Sequence, residues 1–179
     1  MANILLAVTG SISAYKAADL TSQLTKLGHH VKVLMTPAAT AFITPLTLQF
    51  LSKQAVLVEV MTEEDPKQIK HIDLGKEADL FLVAPASANT IAKLAHGFAD
   101  NIVTSTALAL PSVVKKFLAP AMNTKMLDHP ATQNNLKTLK SYGYQIIPPR
   151  EALLACGDQG SGALASIETI LTTIQESLS

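Results

Sequence analysis

The sequence predicts a three-layer α/β sandwich built on a mainly parallel sheet, and three observations carry that expectation. Short, nearly continuous apolar runs such as NILLAV, HVKVLMT, ADLFLVAP and VVKKFLAP recur along the chain. Strands buried on both faces read this way, because helices cover both sides of a parallel sheet. The stretches between them carry helical spacing, as right-handed crossovers between parallel strands require. The strand-to-helix junctions TGS, PAS and PAMN are rich in small, hydroxyl and proline residues, which stop one element and cap the next.

Taken in order, Asn3–Val8 is the first strand, broken by TGS. AYKAADLTSQLTKLG follows as a helix that stops at Gly28, in the position expected of a C-terminal cap. HVKVLMT is a second strand. A proline-initiated helical stretch runs on through AATAFITPLTLQFLS, and AVLVEV reads as a third strand. Thr62–Gln68 is polar linker. ADLFLVAPASANTIAKLAHG repeats strand, turn and helix, closed by Gly97, and DNIVTSTALAL is a further helix capped by Asp100 or Asn101. VVKKFLAPAMNTKM is a strand ending at Pro120, followed by a short helix or turn. PATQNNLKTLKSYG is helical, YQIIPP is the next strand, and a glycine-rich loop leads to a final helix from about Ser166.

Length and composition bound the function. A chain of 179 residues suits one domain, residues 1–179, around one core. Fourteen basic and fourteen acidic side chains balance, so the electrostatic footprint of a nucleic-acid binder is missing. Hydrophobic residues make up 48% and charged ones 16%, a balance that points to surface buried between subunits and hence to an oligomer. Apolar runs fall short of the ~18 residues of a membrane span, and ILLAV lacks the charged start and cleavage site of a signal peptide. A cytoplasmic protein without membrane partners is expected. The single cysteine, Cys156, excludes an internal disulfide, and no Cys/His spacing suggests a metal.

Ligands of such sheets gather beyond the carboxyl ends of the strands, where helix N-termini present unpaired N–H groups. TGSIS, PASANT and PAMNTKM share that face. Gly10, Ser11 and Ser13 offer hydroxyls and amides to a phosphate. The loop lacks G-x-G-x-x-G, so a mononucleotide such as FMN suits it better than a dinucleotide, while an ordinary helix cap is the plain alternative. Ser87, Ala88, Asn89 and Thr90 can offer polar atoms to a ring or ribityl chain, or simply cap a helix. Asn123 can donate to a carboxylate without adding charge, or again serve as a cap. His71 titrates near neutrality and suits a base, although a lone histidine in a polar stretch is more often solvated surface. His29, His30 and His129 receive no chemistry. Cys156 is either a small buried filler or a reactive thiol; Gly157, Gly160 and Gly162 around it suit a flap that closes over a ligand.

In this order and spacing, TGSISAYK, HIDL, PASANTIAKLAHGFADNI, PAMNTKM and ACGDQGSG resemble the homo-oligomeric flavin-containing cysteine decarboxylases across nearly the whole chain. PASANT, P-x-M-N-x-x-M and ACGD together are most similar to the branch whose substrate is 4′-phosphopantothenoylcysteine, converted to 4′-phosphopantetheine in coenzyme A biosynthesis. The resemblance implies a flavodoxin-like or Rossmann-like fold, FMN at a boundary between protomers, and a homotrimer or a dodecamer of trimers. It implies His71 as base, Asn123 as holder of the substrate carboxylate and Cys156 as the acid, with Ala155 beside it on the substrate. Gly10, Ser11, Ile12, Thr36, Ser87, Ala88, Asn89 and Thr90 would contact FMN. Relatives often carry Trp where this chain has Leu127, and Arg where it has Ala163. Many bacterial relatives are fused to a synthetase domain, so the stand-alone version is expected here. Lys16 or Lys76 is the candidate partner of the substrate phosphate. Similar architectures include peptide cysteine decarboxylases that stop at the ene-thiol, flavin prenyltransferases and non-catalytic regulatory flavoproteins; Cys156 in its loop favours full reduction, and so the branch acting on 4′-phosphopantothenoylcysteine, over these.

Overall fold

The computed structural model describes residues 1–61, 69–155, 157 and 159–179; the expected polar linker Thr62–Gln68, and Cys156, lie outside the described residues. Five parallel strands form the sheet: β1 (Asn3–Val8), β2 (His30–Met35), β3 (Leu80–Ala86), β4 (Lys115–Pro120) and β5 (Tyr144–Ile146), in the order β2-β1-β3-β4-β5. Side chains alternate across the pleat. On β1, Ile4, Leu6 and Val8 enter one core while Leu5 and Ala7 enter the other. On β3, Leu80, Leu82 and Ala84 divide from Phe81, Val83 and Ala86 in the same way, and all seven residues of that strand are buried. This explains why the strands read as apolar runs rather than as alternating ones. The Ala84–Pro85 peptide is cis.

One face is covered by α1 (Ala17–Lys26), α2 (Pro45–Ser52) and α8 (Ile167–Leu178), through Leu20, Leu24, Leu48, Ile170 and Ile174. In α1 the buried positions Ala17, Leu20, Thr21 and Leu24 make a single stripe, the spacing of a helix that packs on a sheet. The other face carries α3 (Lys70–Glu77), α4 (Ala88–Ala95), α5 (Ile102–Ala109) and α7 (Pro130–Ser141), through Leu74, Ile91, Ile102, Val103 and Leu139. Ser87 caps α4, and Asn101 caps α5 in a reciprocal box with Thr104. The short α6 (Thr124–Asp128) follows β4.

Four expectations need correction. AVLVEV makes no strand: Leu57 alone bridges to β2, accepting from Met35 N–H at 2.8 Å and donating to Val33 C=O at 3.1 Å. Its neighbours act as apolar cover, Val56 and Val58 against one core and Leu57 and Val60 against the other. The long proline-initiated helix splits into a 3₁₀ turn, Pro37–Ala41, and α2, because Pro45 starts a new helix under a Thr44 cap. The polar KHIDLG stretch is helix α3, held by only two buried residues, Leu74 and Gly75. The glycine-rich loop is an antiparallel hairpin of β6 (Arg150–Leu153) and β7 (Gln159–Ala163), separate from the main sheet.

Candidate active site

The chain leaves β1 for the outer strand β2 and then returns to place β3 on β1's other side, so adjacent crossovers part between β1 and β3. That switch point leaves a crevice beyond the strand ends. A cleft of about 860 Å³ lies there, walled by the loops after β1, β2, β3 and β4 and by the β6–β7 hairpin.

Thr9, fully buried after β1, ties two of these walls together. Its hydroxyl donates to Pro85 C=O at 2.7 Å and accepts from Ser87 N–H at 2.9 Å. Ser11 links the first loop to the end of β4, its Oγ donating to Ala121 C=O at 3.2 Å. Ala121 N–H in turn donates to Ala86 C=O at 3.0 Å. A Cβ on Gly10 would meet the Ala38 Cβ at 2.7 Å, so the loops after β1 and β2 touch only because this residue has no side chain. Thr9→Val keeps the shape but leaves the buried Pro85 carbonyl and the half-buried Ser87 amide without their partner, at roughly 1–3 kcal/mol for the carbonyl. The expected result is a lower unfolding midpoint, by roughly 2–4 °C per kcal/mol; an unchanged thermal melt would contradict this role for Thr9.

The hairpin docks on the loop after β4. Met122 N–H donates to Gly162 C=O at 2.9 Å, and the Thr124 hydroxyl donates to Ser161 C=O at 2.6 Å. Asn123 sits between these two contacts and caps α6, its Oδ1 accepting from Lys125 N–H at 2.8 Å. At the rim, the Lys93 ammonium donates to the Asp100 carboxylate, and this bond holds the Asp100 carboxyl below its ordinary pKa.

Gly10, Ser11, Ile12, Thr36, Ser87, Ala88, Asn89, Thr90, Asn123 and Ala155, spread over 146 positions of the sequence, all line this one cleft. The plain readings also hold in part, since Ser87 and Asn123 do cap helices. The Thr36 hydroxyl is buried and has no hydrogen-bond partner among the described residues. His71 stands apart: it lies in the first turn of α3, half buried, with Nδ1 unpartnered among the described residues, and it does not line the cleft of its own chain. Lys76 pairs with Asp73 at 3.1 Å and does not line it either. Leu127, where relatives often have Trp, is buried in the core under α6 and α7. Sequence reasoning missed Thr9, the Lys93–Asp100 pair and Arg150. The signal for Arg150 was present, because it is the only arginine in the chain.

A doubly wound sheet with its cleft at the β1/β3 switch defines an α/β ligand-binding protein. The chain belongs to the Flavoprotein family, which it matches over residues 1–179. It is 67% identical over 175 residues, 98% of both chains, to a probable phosphopantothenoylcysteine decarboxylase of Streptococcus mutans serotype c. It is 48% identical over 169 residues to the coenzyme A biosynthesis bifunctional protein CoaBC of Bacillus subtilis, covering 94% of this chain and 41% of that protein. Among solved structures, a PPC decarboxylase mutant complexed with pantothenoylaminoethenethiol superposes with a TM-score of 0.89 at 33% identity, covering 99% and 98% of the two chains. The FMN-dependent cysteine decarboxylase SpaF superposes with a TM-score of 0.85 at 29% identity and the same coverage.

Proposed function

We propose that this chain is a single-domain, FMN-dependent phosphopantothenoylcysteine decarboxylase that turns 4′-phosphopantothenoylcysteine into 4′-phosphopantetheine. One observation carries the reading: in a chain 67% identical to a probable enzyme of that name, ten residues named from the sequence and from its family resemblance meet on one cleft. The cleft suits a flavin mononucleotide. The N-terminus of α4 offers N–H groups to an anion, and the Thr36 hydroxyl, without a hydrogen-bond partner among the described residues, has a place for a polar ligand atom.

Loss of carbon dioxide from a cysteine carboxylate leaves an electron pair that a neighbouring acylated nitrogen cannot accept. Bound FMN would supply the two-electron oxidation of the substrate thiol to a thioaldehyde, and return those electrons at the end. The imidazole of His71 takes the thiol proton, the task of a general base. Asn123 orients the carboxylate through its carboxamide NH2, the side chain's donor group, so that the breaking bond lies across the C=S plane. Because the carboxamide is neutral, it does not trap the departing charge as a lysine would. Cys156 delivers a proton to the ene-thiolate carbon, which restores an acceptor for the returning electrons.

His71 requires a second copy of the chain. Exposed apolar side chains, among them Phe42, Phe50, Phe98 and Leu108, support association. A homotrimer, or a dodecamer of trimers, in the cytoplasm would bring α3 of one protomer to the cleft of the next. Mixing refolded His71→Asn and Asn123→Ala proteins, each inactive alone, is expected to regenerate activity in hybrid sites; no recovery would show that each site is complete within one chain. The function itself is tested by product analysis. The purified protein should be yellow and release carbon dioxide from 4′-phosphopantothenoylcysteine to give a saturated thiol. FMN-loaded protein that leaves this substrate unchanged would refute the reading, and accumulation of an ene-thiol would favour a peptide-type cysteine decarboxylase.

A further inference from the structure

The cleft does not end at the hairpin. A second groove of about 530 Å³ adjoins it, and Tyr15, Lys16 and Arg150 line both. Lys16 closes the 3₁₀ turn Ile12–Lys16 that follows the Gly10–Ser11 loop. Arg150 begins β6, opposite Ala163 in the hairpin register. The two cations thus come from opposite ends of the chain, with Lys16 reaching its place from the sheet and Arg150 from the hairpin.

We infer that Lys16 and Arg150 form a phosphomonoester site that holds the terminal phosphate of the substrate at the wall between cleft and groove. The inference rests on the decarboxylase reading above. Arg150 Nε donates to Leu164 C=O at 3.2 Å, which fixes the guanidinium plane and leaves its two terminal nitrogens as the remaining donors. A planar fork of N–H groups matches two oxygens of a phosphate, and a lysine beside it adds a point charge. Burial, and then the facing Arg150 charge, lower the Lys16 ammonium from its ordinary pKa. A dianion between two like charges relieves both effects. Among the described residues, the one carboxylate lining this groove is that of Asp19, which accepts from the Gln23 side chain at 2.9 Å.

The pair is distinct from the loop that would receive a cofactor phosphate. Lys16 lies five residues beyond Ser11, about 10 Å along a 3₁₀ turn, and faces the α8 side of the groove, where Ser166 and Ile167 lie. Ala163 sits directly across from Arg150 in the hairpin register.

The experiment compares 4′-phosphopantothenoylcysteine with its dephosphorylated form, pantothenoylcysteine, on the FMN-loaded wild type and on Arg150→Ala, Arg150→Lys and Lys16→Gln. The expected result is a drop of about ten- to a hundredfold in the ratio of the two kcat/KM values for Arg150→Ala and Lys16→Gln, the loss of a charge-assisted pair. Arg150→Lys should recover part of the ratio, and bound flavin per chain should stay at the wild-type level. A fold defect would lower both substrates alike and leave the ratio unchanged, which would overturn the site while wild-type turnover kept the decarboxylase reading. Loss of flavin from the variants would assign the pair to the cofactor and also overturn it. A wild type inactive on both substrates would overturn the decarboxylase reading, and the site with it.

Discussion

Cys156→Ser is expected to retain bound flavin, to decarboxylate its substrate once, and then to stall with an ene-thiol carrying two hydrogens fewer than 4′-phosphopantetheine. A serine hydroxyl is a far weaker acid than a thiol, and removing a positioned acid costs roughly 10²–10⁴ in rate. Ala155, the residue before Cys156, lines the cleft, and the flanking strands β6 and β7 are docked on the loop that carries Asn123. Mass analysis of a single turnover decides it. Saturated product at the wild-type rate would remove Cys156 from the proton transfer.

Gly162→Ala should do comparable damage without touching any reacting group. A Cβ at this position would lie 2.2 Å from the Met122 carbonyl oxygen, and φ is +134°, a conformation that side chains other than glycine's rarely adopt. The backbone strain alone is on the order of 1–3 kcal/mol. Relief of the clash must move β7 away from Met122, breaking the 2.9 Å bond between Met122 N–H and Gly162 C=O and loosening the 2.6 Å bond from Thr124 to Ser161. Asn123 sits between those bonds, so Asn123 and the hairpin lose their mutual register. A displacement of about 1 Å can cost on the order of a hundredfold in rate. The five-stranded sheet does not include the hairpin, so circular dichroism should stay near wild type while kcat/KM falls. A variant with wild-type kcat/KM would show that hairpin docking does not position the site.

The contrast between Lys93–Asp100 and Lys16–Arg150 shows what kind of information each part of the site needed. The first pair lies seven residues apart, within one helix and its following turn, and spacing alone brings the two charges near each other. The second spans most of the chain, and nothing in either local segment announces the other. His71 marks a further limit: its segment was legible as a motif, yet its helix α3, with only Leu74 and Gly75 buried, carries too little apolar periodicity to be read as one. AVLVEV failed in the opposite direction, because a nearly continuous apolar run packs equally well as irregular cover over two cores.

Local chemistry sufficed for the parallel α/β class, for the strands of the main sheet, for caps narrowed to Ser87 or Asn89 and to Asp100 or Asn101, and for the three loops at the strand ends. Each depends on residues within one or two turns of each other, where hydrogen-bonding reach and side-chain period are set by the backbone. Tertiary structure alone decided that Thr9 would bind Pro85 and Ser87 across 76 and 78 positions, that Ser11 would reach Ala121 across 110, and that Arg150 would face Lys16. It also separated His71 from the cleft of its own chain. Those approaches follow from the strand order β2-β1-β3-β4-β5, which is a property of how buried faces pair over the whole molecule and has no counterpart in any single stretch of sequence.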